Sequence, residues 1–145
     1  MPKLMITKNF NLQNFECPCC GKVHKSLPDF IKDRLQPFRD MVGVPLIVNS
    51  GYRCEEYNAT VPGASAVSQH LIGLAVDAYC PSEAIFPPRT LAVLAWTSRL
   101  FRGIKYYDTH VHLDARALTL PFWGPQFRHW DRVGALEETA DTVYR

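Results

Sequence analysis

The segment 109–116 has the strictest alternation of polar and apolar residues in the chain. This alternation requires a hydrophobic core on one side of the segment and polar surroundings on the other. Successive side chains of a strand point to opposite faces, so one face of this segment carries the polar residues His110, His112, Asp114 and Arg116. The other face carries Val111, Leu113 and Ala115. We therefore expect a strand that packs its apolar face on a core and presents ligand-type and titratable groups on the opposite face.

A second polar pair lies earlier in the chain. His70 precedes a glycine-containing turn, and Asp77 interrupts an otherwise apolar strand. A carboxylate buried in such a strand costs free energy unless it is paired or binds a metal. Catalytic zinc sites use three protein ligands and keep a fourth position open, and His70, Asp77 and His112 form such a set. Spacing alone leaves the alternative that Asp77 is a buried partner of Arg53 or Arg116.

The composition is that of one globular domain. The chain has 145 residues, of which 47% are hydrophobic and 21% charged, and its net charge is +2. Basic residues are spread along the chain, which argues against nucleic-acid binding. No apolar run approaches the ~18 residues of a membrane span, so we expect no membrane partner, and we expect a monomer.

The predicted elements favour one α+β domain, because helices and strands do not alternate strictly. Helical spacing is found in two segments, 27–42, with Pro37 inside it as a kink or a break into two short helices, and 89–101, followed by Gly103. Strand patterns occupy 45–49, 74–80, 105–107 and 109–115. We expect residues 1–25 to form an irregular arm and residues 135–145 a frayed tail.

Three of the five cysteines cluster near the N-terminus as Cys17, Cys19 and Cys20. A second zinc site formed by Cys17, Cys20 and His24 is conceivable, but a structural zinc site takes four ligands. Only three can be named here. The sequence therefore favours a tight, half-buried turn with reduced thiols.

Three separated motifs, taken in order, resemble the zinc D-alanyl-D-alanine carboxypeptidase family. This family belongs to a wider group of lysostaphin-like, carboxypeptidase and hedgehog-type metal domains. The motifs are residues 49–53, 68–77 and 110–114, with further similarity at 128–130. The resemblance covers about residues 27–116 and implies a small α+β domain, flanked by helices, whose antiparallel sheet carries one zinc ion.

The resemblance also implies roles for individual residues. His70, Asp77 and His112 match the metal ligands of the family. His110 matches a histidine that does not bind the metal and is assigned to general-base or transition-state work. Arg53 matches an arginine that faces the carbonyl or carboxylate of the substrate.

The roles of two acidic residues stay open. Some family members have an acidic residue three positions before the last ligand; here that position is Thr109, preceded by Asp108. The identity of the general base therefore stays open. Asp114 either orients the imidazole of a ligand or pairs with Arg116.

The implied function is a zinc metallopeptidase that hydrolyses the stem peptide of bacterial peptidoglycan, with a D-alanyl-D-alanine carboxypeptidase-like activity favoured. One alternative is a phage-type peptidoglycan endopeptidase, and another is a non-catalytic zinc-containing binding module. His110 and Arg53 together favour catalysis. Residues 1–8 show no long apolar stretch and no small-residue cleavage site. We therefore expect synthesis in the cytoplasm without a signal peptide and action on the cell wall, which also fits a phage-encoded enzyme.

Overall fold

The computed structural model describes residues 3–82 and 85–117. Within these residues the centre of the molecule is a four-stranded antiparallel sheet in the order β1-β2-β4-β3. The strands are β1 (Ile47–Ser50), β2 (Ala75–Tyr79), β3 (Gly103–Tyr106) and β4 (Val111–Asp114). The α+β class with an antiparallel sheet is confirmed. The motif at 128–130 and the predicted tail at 135–145 lie outside the described residues.

Short helices surround the sheet. They are α1 (Leu27–Phe30), α2 (Gln36–Val42), α3 (Glu55–Asn58) and α4 (Pro88–Ser98), with 3-10 turns at Leu12–Phe15 and Gln69–Ile72. No helix among the described residues is both long and apolar enough to cross a bilayer.

The interruption predicted at Pro37 is a π-helical segment, Ile31–Leu35, which joins α1 to α2. Proline lacks an N–H and its ring crowds the carbonyl one turn earlier. The wider π turn, closed by the N–H of Gln36 on the carbonyl of Ile31, accommodates the ring in the first turn of α2. Gly43 then ends α2 with a left-handed φ of 77°.

The second predicted helix ends earlier than the sequence pattern suggests. Arg99 takes a left-handed φ of 59° and ends α4, so Gly103 is the first residue of β3 rather than a helix terminator. Glycine is required at this position for another reason. A Cβ on Gly103 would overlap the carboxylate of Asp114 on the neighbouring strand.

The hydrophobic core lies between the helices and the sheet. Val111 and Leu113 of β4 are fully buried in it, as their alternation predicts. The N-terminal arm is largely irregular but well anchored, because Phe10 and Phe15 belong to the same core. Burying a side chain of this size stabilises a fold by about 1.5–3 kcal/mol, so the arm is held against the domain.

Candidate metal centre

Strand register places a row of polar residues across the sheet. Asp77 pairs with Ser50 on one side and with His112 on the other, and His112 pairs with Lys105. Directly opposite residues of antiparallel strands project from the same face. The polar face predicted for 109–116 is therefore part of a larger polar strip, although His110 precedes β4 instead of lying within it.

The three predicted ligands converge at this strip. His70 Nε2 lies 3.2 Å from His112 Nδ1 and 3.3 Å from Asp77 Oδ1, and the last two atoms are 3.0 Å apart. All three residues are buried, and they come from the Gln69–Ile72 turn, β2 and β4. The group meets the geometric requirement for holding a metal ion.

Hydrogen bonds on the outer side of each ring set which nitrogen faces the cluster. His70 Nδ1 lies 2.7 Å from the carbonyl oxygen of Gly51. A carbonyl only accepts, so Nδ1 carries the hydrogen and Nε2 keeps its lone pair. His112 Nε2 likewise donates to Asp114 Oδ2 at 3.0 Å, so Nδ1 is the nitrogen that faces the cluster. With a metal in place of the Nδ1 proton, two imidazole lone pairs and a carboxylate oxygen would face one another, the donor set that zinc takes.

Asp114 contacts His112 and Arg116 at once, so both partners considered for it are present. Arg116 donates from Nε to Oδ1 at 3.0 Å and from Nη2 to Oδ2 at 2.6 Å. Asp114 is fully buried. A paired guanidinium keeps this carboxylate charged, and a charged carboxylate is the better acceptor for the His112 N–H.

The pKa values of the metal-free cluster indicate which proton a bound metal cation would replace. Burial alone would lower the pKa of His112, but hydrogen bonds to Asp114 and Asp77 outweigh it and raise the pKa to about 9. Burial would raise the pKa of Asp77, yet His70 and His112 hold it well below its usual range. Burial lowers the pKa of His70. Without metal, a proton on His112 Nδ1 therefore bridges to Asp77.

Arg53 is the second partner of Asp77. Its Nη2 donates to Asp77 Oδ2 at 3.0 Å, and its Nε donates to Ser50 Oγ at 3.0 Å. The alternative pairing of Asp77 with Arg53 is thus present, and it is compatible with a metal because it uses the other carboxylate oxygen. The other alternative, a pairing of Asp77 with Arg116, is not found among the described residues, because Arg116 binds Asp114 instead.

A cavity opens beside the cluster. Besides the three predicted ligands and Arg53, its wall includes residues 63–65, Ser68, Lys105 and Tyr107. Sequence reasoning missed Lys105 and Tyr107. The only signal for Lys105 is its position opposite His112, which depends on a strand register that the sequence does not reveal.

His110 and Asp108, the two candidates for the general base, differ in their surroundings. His110 is half-buried and stacks on Tyr107, with ring centroids 4.5 Å apart. Its Nδ1 lies 2.9 Å from Thr109 Oγ1. Burial lowers the pKa of His110, although the charge of Asp77 opposes this. Asp108 is exposed in the turn between β3 and β4.

The cysteine turn forms as expected, but the third possible metal ligand beside it is not the predicted one. The Gly21 N–H donates to the Cys17 carbonyl at 2.8 Å and closes the turn. The group that approaches Cys17 and Cys20 is Cys54, not His24. The ring of His24 instead lies 2.9 Å from the Ser26 hydroxyl through Nδ1.

Residues 8–114 match the family model described as peptidase M15. The chain belongs to the peptidase M15 family. The match covers β1 to β4 and every residue of the buried cluster, and it confirms the resemblance seen in the motifs. M15 membership implies a zinc-dependent metallopeptidase of a family that acts on peptidoglycan-type peptides. A search of curated proteins finds no match for this M15 chain.

Proposed function

We propose that this M15 peptidase is a D-alanyl-D-alanine carboxypeptidase-like enzyme that trims the stem peptide of the cell wall. The observation that carries the proposal is the convergence of three possible ligand atoms, from His70, Asp77 and His112, beside an open cavity with two cationic side chains. A purely structural zinc site would have no need of such a cavity.

The three ligands would hold one catalytic zinc ion. When bound, zinc would supply a Lewis acid that lowers the pKa of a water molecule toward ~7 and polarises a carbonyl group. The chain keeps the ligand rings in the required tautomers through Gly51 and Asp114. Arg53 fixes the second oxygen of Asp77, which orients the first one toward the histidines.

His110 is our choice for the general base. To accept a proton at Nε2, the ring must carry its hydrogen on Nδ1, and Thr109 Oγ1 is in place to receive it. His110 is not part of the cavity wall itself, but it stacks on Tyr107, which is. Its lowered pKa keeps the ring neutral at pH 7, the state that a base requires.

Two cations in the cavity wall favour a substrate that ends in a carboxylate. Lys105 and Arg53 both line the cavity, and a guanidinium or an ammonium stabilises such an anion. An endopeptidase would meet no free carboxylate at the bond it cleaves. This difference separates the carboxypeptidase from the phage-type endopeptidase.

A pair of substrates tests the proposal. The zinc-loaded enzyme is given a stem peptide with a free C-terminal D-alanine and the same peptide with a C-terminal amide. We expect strong preference for the free acid, and we expect Arg53→Lys to remove most of that preference. Arg89→Lys, an exposed substitution at the start of α4, is the matched control and should behave as the unmodified chain.

Zinc content is measured for every variant in this comparison, because Arg53 also contacts Asp77. Equal cleavage of both peptides by the unmodified enzyme would contradict the carboxypeptidase activity and favour the endopeptidase. Cleavage of neither peptide nor of whole cell wall, with zinc bound, would favour the binding module.

A further inference from the structure

A second group of metal-type ligands lies outside the histidine centre. Cys17, Cys20 and Cys54 bring their sulfur atoms within 4.8 Å of one another, and Cys17 and Cys54 are 3.6 Å apart. Zinc binds thiolates at about 2.3 Å, which separates sulfurs in a tetrahedron by about 3.8 Å. The observed spacing is therefore close to that of a tetrahedral thiolate site.

The backbone around Cys17 and Cys20 forms a turn like those that carry metal ligands. Cys17 and Cys20 have the C-x-x-C spacing found in structural zinc sites. The turn is closed by Gly21 N–H on the Cys17 carbonyl and by Cys17 N–H on the Lys22 carbonyl, both at 2.8 Å. Gly21 has a φ of 68°, a left-handed conformation that glycine adopts without strain.

Backbone N–H groups point at the sulfur atoms. Cys54 N–H donates to Cys17 Sγ at 3.4 Å, and Tyr57 N–H donates to Cys54 Sγ at 3.4 Å. Such bonds stabilise a thiolate, which is the form that binds metal. Burial alone would raise the pKa of Cys17, but backbone N–H groups of Cys54, Cys20 and Cys19 lower it to about 7.

We propose that Cys17, Cys20 and Cys54 bind a structural zinc ion as thiolates, with Cys19 completing the ligand set. Cys19 lies in the same turn and is exposed; its sulfur is outside the group of three and would turn toward the metal to complete it. A disulfide between Cys17 and Cys54 would use two sulfurs and leave the third unused, whereas a metal uses them all. Soft thiolates select zinc over hard cations such as magnesium or calcium.

This zinc would tie the N-terminal arm to the loop 51–54, which carries Arg53. Hydrogen bonds to the N-terminal arm and to His70 already hold this loop. Tyr52 N–H donates to the Phe15 carbonyl at 2.9 Å, and Gly51 accepts from His70. The thiolate site thus positions the loop beside the catalytic centre without contacting a substrate, and the inference does not depend on which peptide bond is cleaved.

Elemental analysis of the full chain, purified reduced and with zinc supplied, tests the proposal. We expect two zinc ions per chain, one more than the resemblance implies. The pair His70→Ala and His112→Ala should leave one, and the pair Cys17→Ser and Cys54→Ser should also leave one. Cys80→Ala, at a buried cysteine outside the cluster, is the matched control and should leave two. A single zinc, lost completely from the histidine variant, would overturn the proposal.

Alkylation of the unmodified chain covers the case in which the cysteine variant fails to fold. Cys19 and Cys20 are exposed, so without metal they should react quickly with iodoacetamide. We expect mass spectrometry to show both protected in the zinc-loaded protein and reactive after treatment with a strong chelator. Equal reactivity before and after chelation, or a disulfide between Cys17 and Cys54 in the protein as purified, would overturn the proposal.

Discussion

Asp114 accepts the Nε2 hydrogen of His112 at 3.0 Å, and this contact sets which nitrogen of the ring faces the buried cluster. Because Nε2 is engaged on the outside, Nδ1 is directed at Asp77 Oδ1 and His70 Nε2. The absence of a side chain at Gly103 makes room for this carboxylate. A residue two positions after His112 thus sets which ring nitrogen of this predicted ligand faces the cluster.

The first prediction concerns the ligands of the histidine centre. Replacing His70, Asp77 or His112 by Ala should remove zinc from this centre, since each supplies one of three protein ligands. Elemental analysis measures the loss as one zinc ion fewer per chain than in the unmodified protein. Asp108→Ala, an exposed carboxylate nearby, should keep its zinc. Full retention by any of the three variants would remove that residue from the ligand set.

A second prediction concerns Asp114. Asp114→Asn should weaken zinc binding by ~10–100-fold, the usual effect of removing a carboxylate that orients a metal-bound histidine. Competition with a chromogenic chelator measures the affinity. Asp29→Asn, an exposed carboxylate in α1, is the control. Unchanged affinity in Asp114→Asn would mean that Asp114 serves Arg116 and the fold rather than the metal ligand.

The pH dependence of His112 provides a third prediction. In the zinc-free protein its pKa is raised to about 9, so the protonated ring stabilises the fold fully below pH ~6.5. That contribution is lost as the pH rises through about 9. Zinc competes with this proton, so zinc affinity should increase with pH over the same range. NMR of the His112 ring should show titration near pH 9 without zinc and none with zinc; titration near 6.5 would contradict the bridged proton.

The fourth prediction separates His110 from the ligands. His110→Ala should keep its zinc and lose ~10²-fold or more in turnover, the scale expected for a general base. Zinc content and steady-state kinetics are measured on the same preparation. Asp108→Ala should lose little activity, because its carboxylate is exposed in the turn. Loss of zinc from His110→Ala, or a larger loss of turnover from Asp108→Ala, would reverse the assignment.

Much of the fold was predictable because local patterns matched the tertiary structure. The alternation at Val111 and Leu113 gives a core face, and the isolated polar residue Asp77 in an apolar strand indicates a ligand or a partner. Both signals are local, and both lie in the sheet. The end of α4 at Arg99 was not predictable from pattern, because a non-glycine residue rarely takes a left-handed conformation.

The features that sequence reasoning missed depend on contacts between distant segments. Cys54 lies 37 positions from Cys17, and nothing local indicates that they meet. Lys105 reaches the cavity only because β3 and β4 pair in one particular register, and a shift by one residue would turn its side chain to the other face. Roles that rest on such contacts require the folded structure.

Digestion of purified peptidoglycan by the zinc-loaded enzyme tests the central claim most directly. Mass analysis of the released material should show free alanine and stem peptides shortened by one terminal residue. Chelation should abolish this product, and added zinc should restore it. Peptidoglycan left unchanged by an enzyme with its histidine centre filled would contradict the account, and cleavage inside the stem peptide would replace the carboxypeptidase with an endopeptidase.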